Sequence, residues 1–406
     1  MSGAVAALRT LGVRRFARKL WHRLPLDGNG ALPGGPRETR AIRRFLARAR
    51  WQGFPAWARP LLAVAARAAW LVACPVWAAK VAAAPRDPRA MARAVWLGWT
   101  AGRHPAALPA TDPATGADLL DDRQSMLLWL GLGDRRDIAR AADKVATSQA
   151  LAALGVPTVP ILAEIPRGTA PAPEHLALFA AAPRFVKPRH GSQAAGAASV
   201  RPTADGRFSI EGGLPVGPAE LALHLAALAR RDSVLVQPLL RPNADTADLS
   251  PDAPVELRIT TARPVGGASV VVSVNLKVQP PGRHAATTMT SALAVPVHPR
   301  DGTLLEGRLL GQLGERHVCV PWNGAPLPGR RLADLEAAMD AVVAGAAAFP
   351  GLAAIGWDVL LTDNGPVVLE ANVALSWRFI HLPYAASGLP SPLPAIVDGW
   401  IAHRLG

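Results

Sequence analysis

Two apolar runs, IGWDVLLT and PVVLEAN, flank Asp363-Asn364-Gly365 between residues 355 and 372. The two runs, apolar on both faces apart from a few oxygen-bearing side chains, read as the strands of a hairpin. Asn-Gly supplies the backbone chemistry of a tight hairpin turn. A hairpin symmetric about Asn364 sets Asp358 opposite Glu370, each six residues from the centre, with Cβ atoms about 5 Å apart. Asn372, two residues beyond Glu370, shares that face. Two carboxylates held together in apolar strands repel each other unless a cation lies between them. A hard divalent cation such as Mg²⁺ takes Asp, Glu and Asn oxygens and leaves positions for phosphate oxygens. A solvated hairpin edge, or a bulge that slips the register, is the alternative reading.

The remaining composition narrows the setting. The chain has 406 residues, half of them hydrophobic and 18% charged, enough apolar material for more than one core. Two cysteines, Cys74 and Cys319, can build neither a disulfide framework nor a tetrahedral zinc site, so a reducing, cytoplasmic compartment is expected. The net charge of +14 is unevenly placed. Residues 1–105 hold 19 Lys+Arg against three acids, a net of +16, together with seven of the twelve tryptophans. The remaining residues are close to neutral. Lysine is scarce throughout: Lys19, Lys80, Lys144, Lys187 and Lys277 are the only five. In a chain that uses Arg so freely, a retained lysine marks a place where a compact ammonium is needed.

Residues 1–105 read as short basic helices broken by the Gly/Pro stretch 27–36. Within 61–84, Arg67, Pro75 and Lys80 interrupt the apolar run, so no transmembrane span is expected. From about residue 106 helices and strands alternate. Helices are expected over 134–154, 174–182, 217–231 and 329–349, and strands over 158–165, 184–188, 233–237, 255–262 and 267–278, before the hairpin. Antiparallel neighbours dominate, which predicts an α+β fold rather than a doubly wound sheet.

Cationic candidates stand beside small-residue loops. Lys187 ends the strand Phe185-Val186-Lys187-Pro188, just before Gly191, Ser192 and Gly196. Such a loop lets backbone N–H groups approach phosphate oxygens while the lysine supplies a point charge. Lys144 opens a helix after Asp143, where a cation fits poorly with the helix dipole unless an anion is near. Arg258 and Lys277 lie on two further strands. Cations on strands directed at an acidic metal site would clamp a polyphosphate; pairing of Arg258 with Glu256 is the plainer alternative.

Taken in order, Asp143-Lys144, GVPTVP (155–160), FVKP (185–188), GSQAAGA (191–197), VLVQP (234–238), ELRITT (256–261) and GWDVLLTDNGPVVLEAN (356–372) resemble the ATP-grasp superfamily. More narrowly, the chain is similar to sugar-transfer-associated ATP-grasp proteins related to α-L-glutamate ligases. The likeness runs over about residues 115–380. It implies a lid subdomain at about 184–240 and a catalytic subdomain at about 241–385, preceded by the helical segment 1–105. It further implies that Lys144 and Lys187 hold the α- and β-phosphates of ATP. Gly191, Ser192 and Gly196 would fold over the triphosphate, and Gln237, Pro238 and Leu239 would form the hinge that reads adenine. Arg258 and Lys277 would face the terminal phosphate, and Asp358, Glu370 and Asn372 would bind one or two Mg²⁺. The implied reaction makes an acyl phosphate from a carboxylate and passes it to an amine, in bacterial surface-polysaccharide or envelope biosynthesis. Two features depart from the family pattern. The loop GSQAAGA carries fewer glycines than usual, and VALSWRF after Asn372 lacks the common Pro-Gly.

Two function classes therefore remain open: an ADP-forming carboxylate–amine ligase, and a nucleotide-binding regulator or scaffold at the membrane without ligase activity. For residues 1–105, peripheral contact with an anionic membrane at its inner face is expected from interleaved Trp and Arg. A helical subdomain with buried Trp is the alternative. No helix-turn-helix, RNA-recognition or zinc pattern accompanies these residues, so a nucleic-acid partner is not expected.

Overall fold

The computed structural model describes residues 41–42, 44–46, 55–82, 88–101, 120, 122–191, 196–250, 255–280, 292–309 and 312–405. They fall into two compact units, one made of residues 133–375 and 379–396, the other of the described residues up to 132 with 376–378 and 397–405. The fold is α+β, as the sequence predicts, and every ladder between its named strands is antiparallel.

The N-terminal unit contains a helical pair, α1 (Ala58–Ala82) and α2 (Pro88–Ala101), followed by α3 (Asp122–Leu132). Ala66, Trp70, Cys74 and Ala78 of α1, spaced four apart, are buried. Trp70 donates its indole N–H to the Gly98 carbonyl (2.8 Å) and Trp99 donates to the Leu71 carbonyl (3.2 Å). In contrast to the interrupted apolar run of the sequence reading, α1 continues through Pro75, and its stretch Ala58–Val76 is long and apolar enough to cross a membrane by length and composition.

The larger unit holds two sheets. Helices α4 (Arg135–Ala142) and α5 (Lys144–Ala152) lead into the first, whose strands are β1 (Ala163–Ile165), β2 (Arg184–Pro188), β3 (Ala198–Pro202), β4 (Phe208–Ile210) and β5 (Val234–Pro238), in the order β1-β5-β2-β3-β4. Helices α6 (Pro173–Ala181) and α7 (Pro218–Ala229) supply Phe179, Leu221 and Leu225 to the core on one face, against Val186, Val200 and Val236. Strand alternation then points Lys187 and Gln237 to the other face.

After the short helix α8 (Ala244–Ala247) comes the second sheet. Its strands are β6 (Glu256–Ala262), β7 (Val270–Val278), β8 (Leu293–Pro296), β9 (Gly307–Leu309), β10 (Gln312–His317), β11 (Ala354–Thr362) and β12 (Gly365–Asn372), ordered β10-β9-β8-β7-β6-β11-β12. Between β10 and β11 lies α9 (Leu335–Gly345), and α10 (Trp377–Ser387) and α11 (Leu393–Leu405) close the chain. All nine residues of β11 are buried, so this run is covered on both faces. Ile355, Trp357, Val359 and Leu361 join Ile259, Leu276 and the Ala338 and Val342 side of α9 in one core. The intervening residues of the same strands form the opposite, polar face. Both buried faces therefore follow from the period of two, and the chemistry lies on the second of them.

Two expected helices differ from the observed ones. Residues 134–154 form two helices, because Asp143 adopts an extended conformation and its carboxylate accepts from the Val145 and Ala146 N–H groups, starting a new helix. The helix expected from 329 starts at Leu335, since residues before it are drawn into β-like contacts: Arg331 bridges Thr303, and Arg330 accepts the Leu304 N–H. The strand expected over 158–165 is confined to its last three residues.

Candidate functional site

The hairpin pairs as anticipated at its polar end: Asp358 lies opposite Glu370 and Gly356 opposite Asn372. The route differs. The loop is only Asp363-Asn364, with Thr362 paired to Gly365, and a bulge between the Val359 and Asp358 pairs leaves Leu369 as the extra residue. Had the register run on unbroken from the two-residue turn, Leu369 would lie opposite Asp358 and Glu370 would fall on the core face opposite Trp357. The bulge is what returns Glu370 to the polar face.

One continuous row of ladder partners crosses the second sheet: Glu370, Asp358, Arg258 and Asn275. The neighbouring row brings Glu256 opposite Lys277. Arg258 donates to both oxygens of Asp358 (2.6 and 3.0 Å), so its partner is Asp358 and not Glu256. Lys277 reaches Glu256 at 2.7 Å and Asp358 at 3.0 Å. Gly356 makes the room. A Cβ there would lie 2.7 Å from Leu375 Cδ2 and 3.3 Å from Arg258 Nη1.

The lysines of the two other candidate elements meet this cluster. Lys187, buried, donates to the carbonyl of the bulged Leu369 (3.2 Å). Lys144 lies 3.9 Å from Glu370 and donates to the Gly191 carbonyl (3.0 Å). Gly191 and Gly196 both have positive φ, +112° and +80°, the conformations for which glycine is suited. Ser192 lies outside the described residues. Gln237 is buried and donates its side-chain amide to the Val159 carbonyl (3.3 Å). Pro238 and Leu239 are half-buried at the end of β5, and the Leu239 N–H is directed to the Pro183 carbonyl (3.3 Å). A small cleft has Lys144, Lys187, Gln237 and Glu370 on its polar walls and Leu151 and Val159 on its apolar ones.

Four cations (Lys144, Lys187, Arg258, Lys277) stand against three carboxylates (Glu256, Asp358, Glu370). Burial would raise the Asp358 carboxyl, but Arg258 and Lys277 outweigh it and hold the group well below the usual carboxylate range. Glu370 is shifted upward, first by burial and then by the charge of Asp358. Burial pushes the Lys187 ammonium down to about 8, with the charge of Lys144 acting in the same direction and Glu370 opposing. An arriving polyanion relieves the stress on Lys187; a cation relieves the stress on Glu370. The Asn372 amide donates to Asp358 (3.2 Å) and Glu370 (3.4 Å), so the three side chains converge on one point. The two ends of an amide are interchangeable by rotation. The donor set of two carboxylates and one amide oxygen therefore fits a hard divalent ion. Among the described residues no group of three or more His, Cys, Asp or Glu side chains could hold a metal.

Sequence reasoning missed the support beneath the lysines. Arg189, two residues after Lys187, donates to both oxygens of Asp143 (2.6 and 2.9 Å) and reaches Glu164 of β1 (3.3 Å). The Lys144 N–H is donated to the Arg189 carbonyl (3.2 Å). One ion-pair network thus ties the start of α5, the end of β2 and β1 together. Its sequence signal was limited to an Arg beside the FVKP motif.

Two antiparallel sheets, with a cleft lined by lysines and an acidic hairpin, define a protein of the ATP-grasp class. Residues 128–394 match the family described as sugar-transfer associated ATP-grasp. The chain belongs to that family. Among solved structures it is similar to the D-alanine–D-alanine ligase from Bacillus anthracis, at 14% identity over 67% of this chain and 71% of that one, with a TM-score of 0.41. VanG D-Ala:D-Ser ligase from Enterococcus faecalis matches at 14% identity over 67% of this chain and 64% of its own, TM-score 0.42. The D-alanine–D-alanine ligase from Coxiella burnetii matches at 15% over 70% and 66%, TM-score 0.40. No curated protein matches the chain.

Proposed function

We propose that this protein is an ATP- and Mg²⁺-dependent ligase that activates a substrate carboxylate as an acyl phosphate and transfers the acyl group to an amine, in surface-polysaccharide or envelope biosynthesis. The observation that carries the reading is the gathering of Lys144, Lys187, Arg258 and Lys277 around the Asp358–Glu370–Asn372 end of the hairpin, with Lys144, Lys187 and Glu370 lining a cleft beside it. In this reading Lys144 and Lys187 hold the α- and β-phosphates beneath the loop that begins at Gly191 and includes Gly196, and Gln237 to Leu239 face the adenine. Arg258 and Lys277 orient the terminal phosphate toward the attacking carboxylate oxygen. Asp358, Glu370 and Asn372 hold the Mg²⁺, whose chemistry is to neutralise phosphate charge. No side chain acts as a nucleophile. The residues position the reactants and balance charge.

The test is release of ADP and phosphate by purified protein given ATP, Mg²⁺ and panels of carboxylates and amines. Glu370→Ala and Asn372→Ala should each lower turnover at least a hundredfold, and full turnover in both would end the metal assignment. Tight nucleotide binding with no ADP formed across the panel would favour the regulator reading, which the glycine-poor loop 191–197 motivates. For residues 1–105, the net charge of +16 supports peripheral contact with an anionic membrane surface.

A further inference from the structure

The pattern of exposure on α1 is not that of a helix turned toward water. At 100° per residue, Leu61, Val64, Ala65, Ala68, Val72 and Val76 fall within about 60° of one line along the helix. All six are exposed, Val72 to 72%. No polar side chain interrupts that line over about 22 Å of helix. The opposite face, Ala66, Trp70, Cys74 and Ala78, is buried and bonded to α2. Trp57, 75% exposed, stands at the N-terminal end of the line, and Trp96 of α2 is 60% exposed. Arg59 and Arg67 are exposed off the line.

We infer that α1 lies in the plane of an anionic membrane, with the Leu61–Val76 line seated among the acyl chains and Trp57 at the headgroup level. The inference rests on the membrane reading above and specifies the surface and the mode. Three observations select this occupant. The line is apolar enough to leave water, tryptophan favours the headgroup layer, and residues 1–105 carry the charge complementary to anionic lipid. An in-plane position follows from the partner helix. α2, at 14 residues or about 21 Å, is too short to accompany α1 across a hydrocarbon core of about 30 Å.

The experiment is flotation of the full chain with vesicles of phosphatidylcholine containing 30 mol% phosphatidylglycerol, at low and high salt, compared with phosphatidylcholine alone. Wild type should float with the anionic vesicles and keep a measurable fraction at high salt. Leu61→Glu/Val72→Glu should reduce flotation at least tenfold with unchanged circular dichroism, while Leu223→Glu, an exposed leucine of the other unit, should not. Brominated lipid should quench tryptophan emission, less so in Trp57→Phe. If the double variant floats like wild type, the in-plane inference fails while charge-driven contact survives. Absence of flotation at low salt removes both. Retention after alkaline carbonate extraction, which indicates a spanning helix, overturns the in-plane mode. So does a dimer in solution that the double variant dissolves.

Discussion

Lys187 is the residue whose protonation most directly reports the site. Burial holds its ammonium at about 8, against an ordinary value of 10.5. A polyphosphate beside it would favour the charged form and carry the value back upward. Nucleotide binding should therefore take up about half a proton at pH 8 and more at pH 9. Calorimetry in buffers of different ionisation enthalpy measures the uptake, and Lys187→Met should abolish it. Asp358 makes the opposite kind of contribution. Its folded carboxyl lies below the unfolded value, so its stabilisation is complete above about pH 4 and is lost as pH falls through the folded value. Asp358→Asn leaves Arg258 and Lys277 buried without their shared partner and should cost about 3–5 kcal/mol at neutral pH, a deficit that narrows in acid; equilibrium denaturation against pH reads both. At this scale much was legible. That Asp358, Glu370 and Asn372 share one face was legible from strand spacing, a local property, although the bulge at Leu369 that secures it was not. The Arg189–Asp143–Glu164 network joins residues distant along the chain, and only the packed fold brings them together. The same holds for the choice of Arg258 between Glu256 and Asp358, which was settled across strands and not along one.

Among the elements, the β11–β12 hairpin shows how a correct outcome can rest on a different construction. The sequence suggested symmetry about Asn364; the protein uses a two-residue turn and a bulge at Leu369, whose offsets combine to the same Asp358–Glu370 pair. The bulge also turns a carbonyl toward Lys187, so one irregularity places both a carboxylate and an ammonium. Gly356 is the matching device on β11. Gly356→Ala sets a methyl against Leu375 and Arg258 and should destabilise by about 1–3 kcal/mol. Adding Leu375→Ala should remove the closer clash, the one at 2.7 Å. Thermal unfolding of the two variants checks the order, and equal loss in both would mean that the room at Gly356 is not needed. The strands that sequence reading passed over, β3, β4 and β8 to β10, are three to six residues long. Strands so short carry too few alternations to define a period, and they are held by their neighbours in the sheet. The long helix expected over 134–154 failed for a related reason: a single capping carboxylate, Asp143, outweighed a helical pattern continuous on both sides of it.

At the scale of the molecule, the charge of +14 divides by position. The N-terminal 105 residues hold the excess, whereas the unit with the two sheets sets Lys144, Arg258 and Lys277 against carboxylates beside the cleft. Each unit has its own buried residues, Trp70 and Cys74 in the first and the Trp357 core in the second. A ligand confined to the cleft should therefore stabilise one unit and leave the other unchanged. Nucleotide with Mg²⁺ at a hundredfold its Kd adds about 2.7 kcal/mol to the state that binds it. For a unit of this size, that moves an unfolding midpoint by roughly 5–10 °C. Differential scanning calorimetry of the full chain should then show two transitions, with only one displaced by nucleotide. Seven of the twelve tryptophans belong to residues 1–105, so emission is weighted toward the basic segment and should follow the transition that stays in place. Anionic vesicles should act in the reverse sense, displacing the tryptophan-weighted transition alone. If both transitions move together under either ligand, the two units are coupled, and the division of charge into a binding body and a separate basic segment does not extend to their stability.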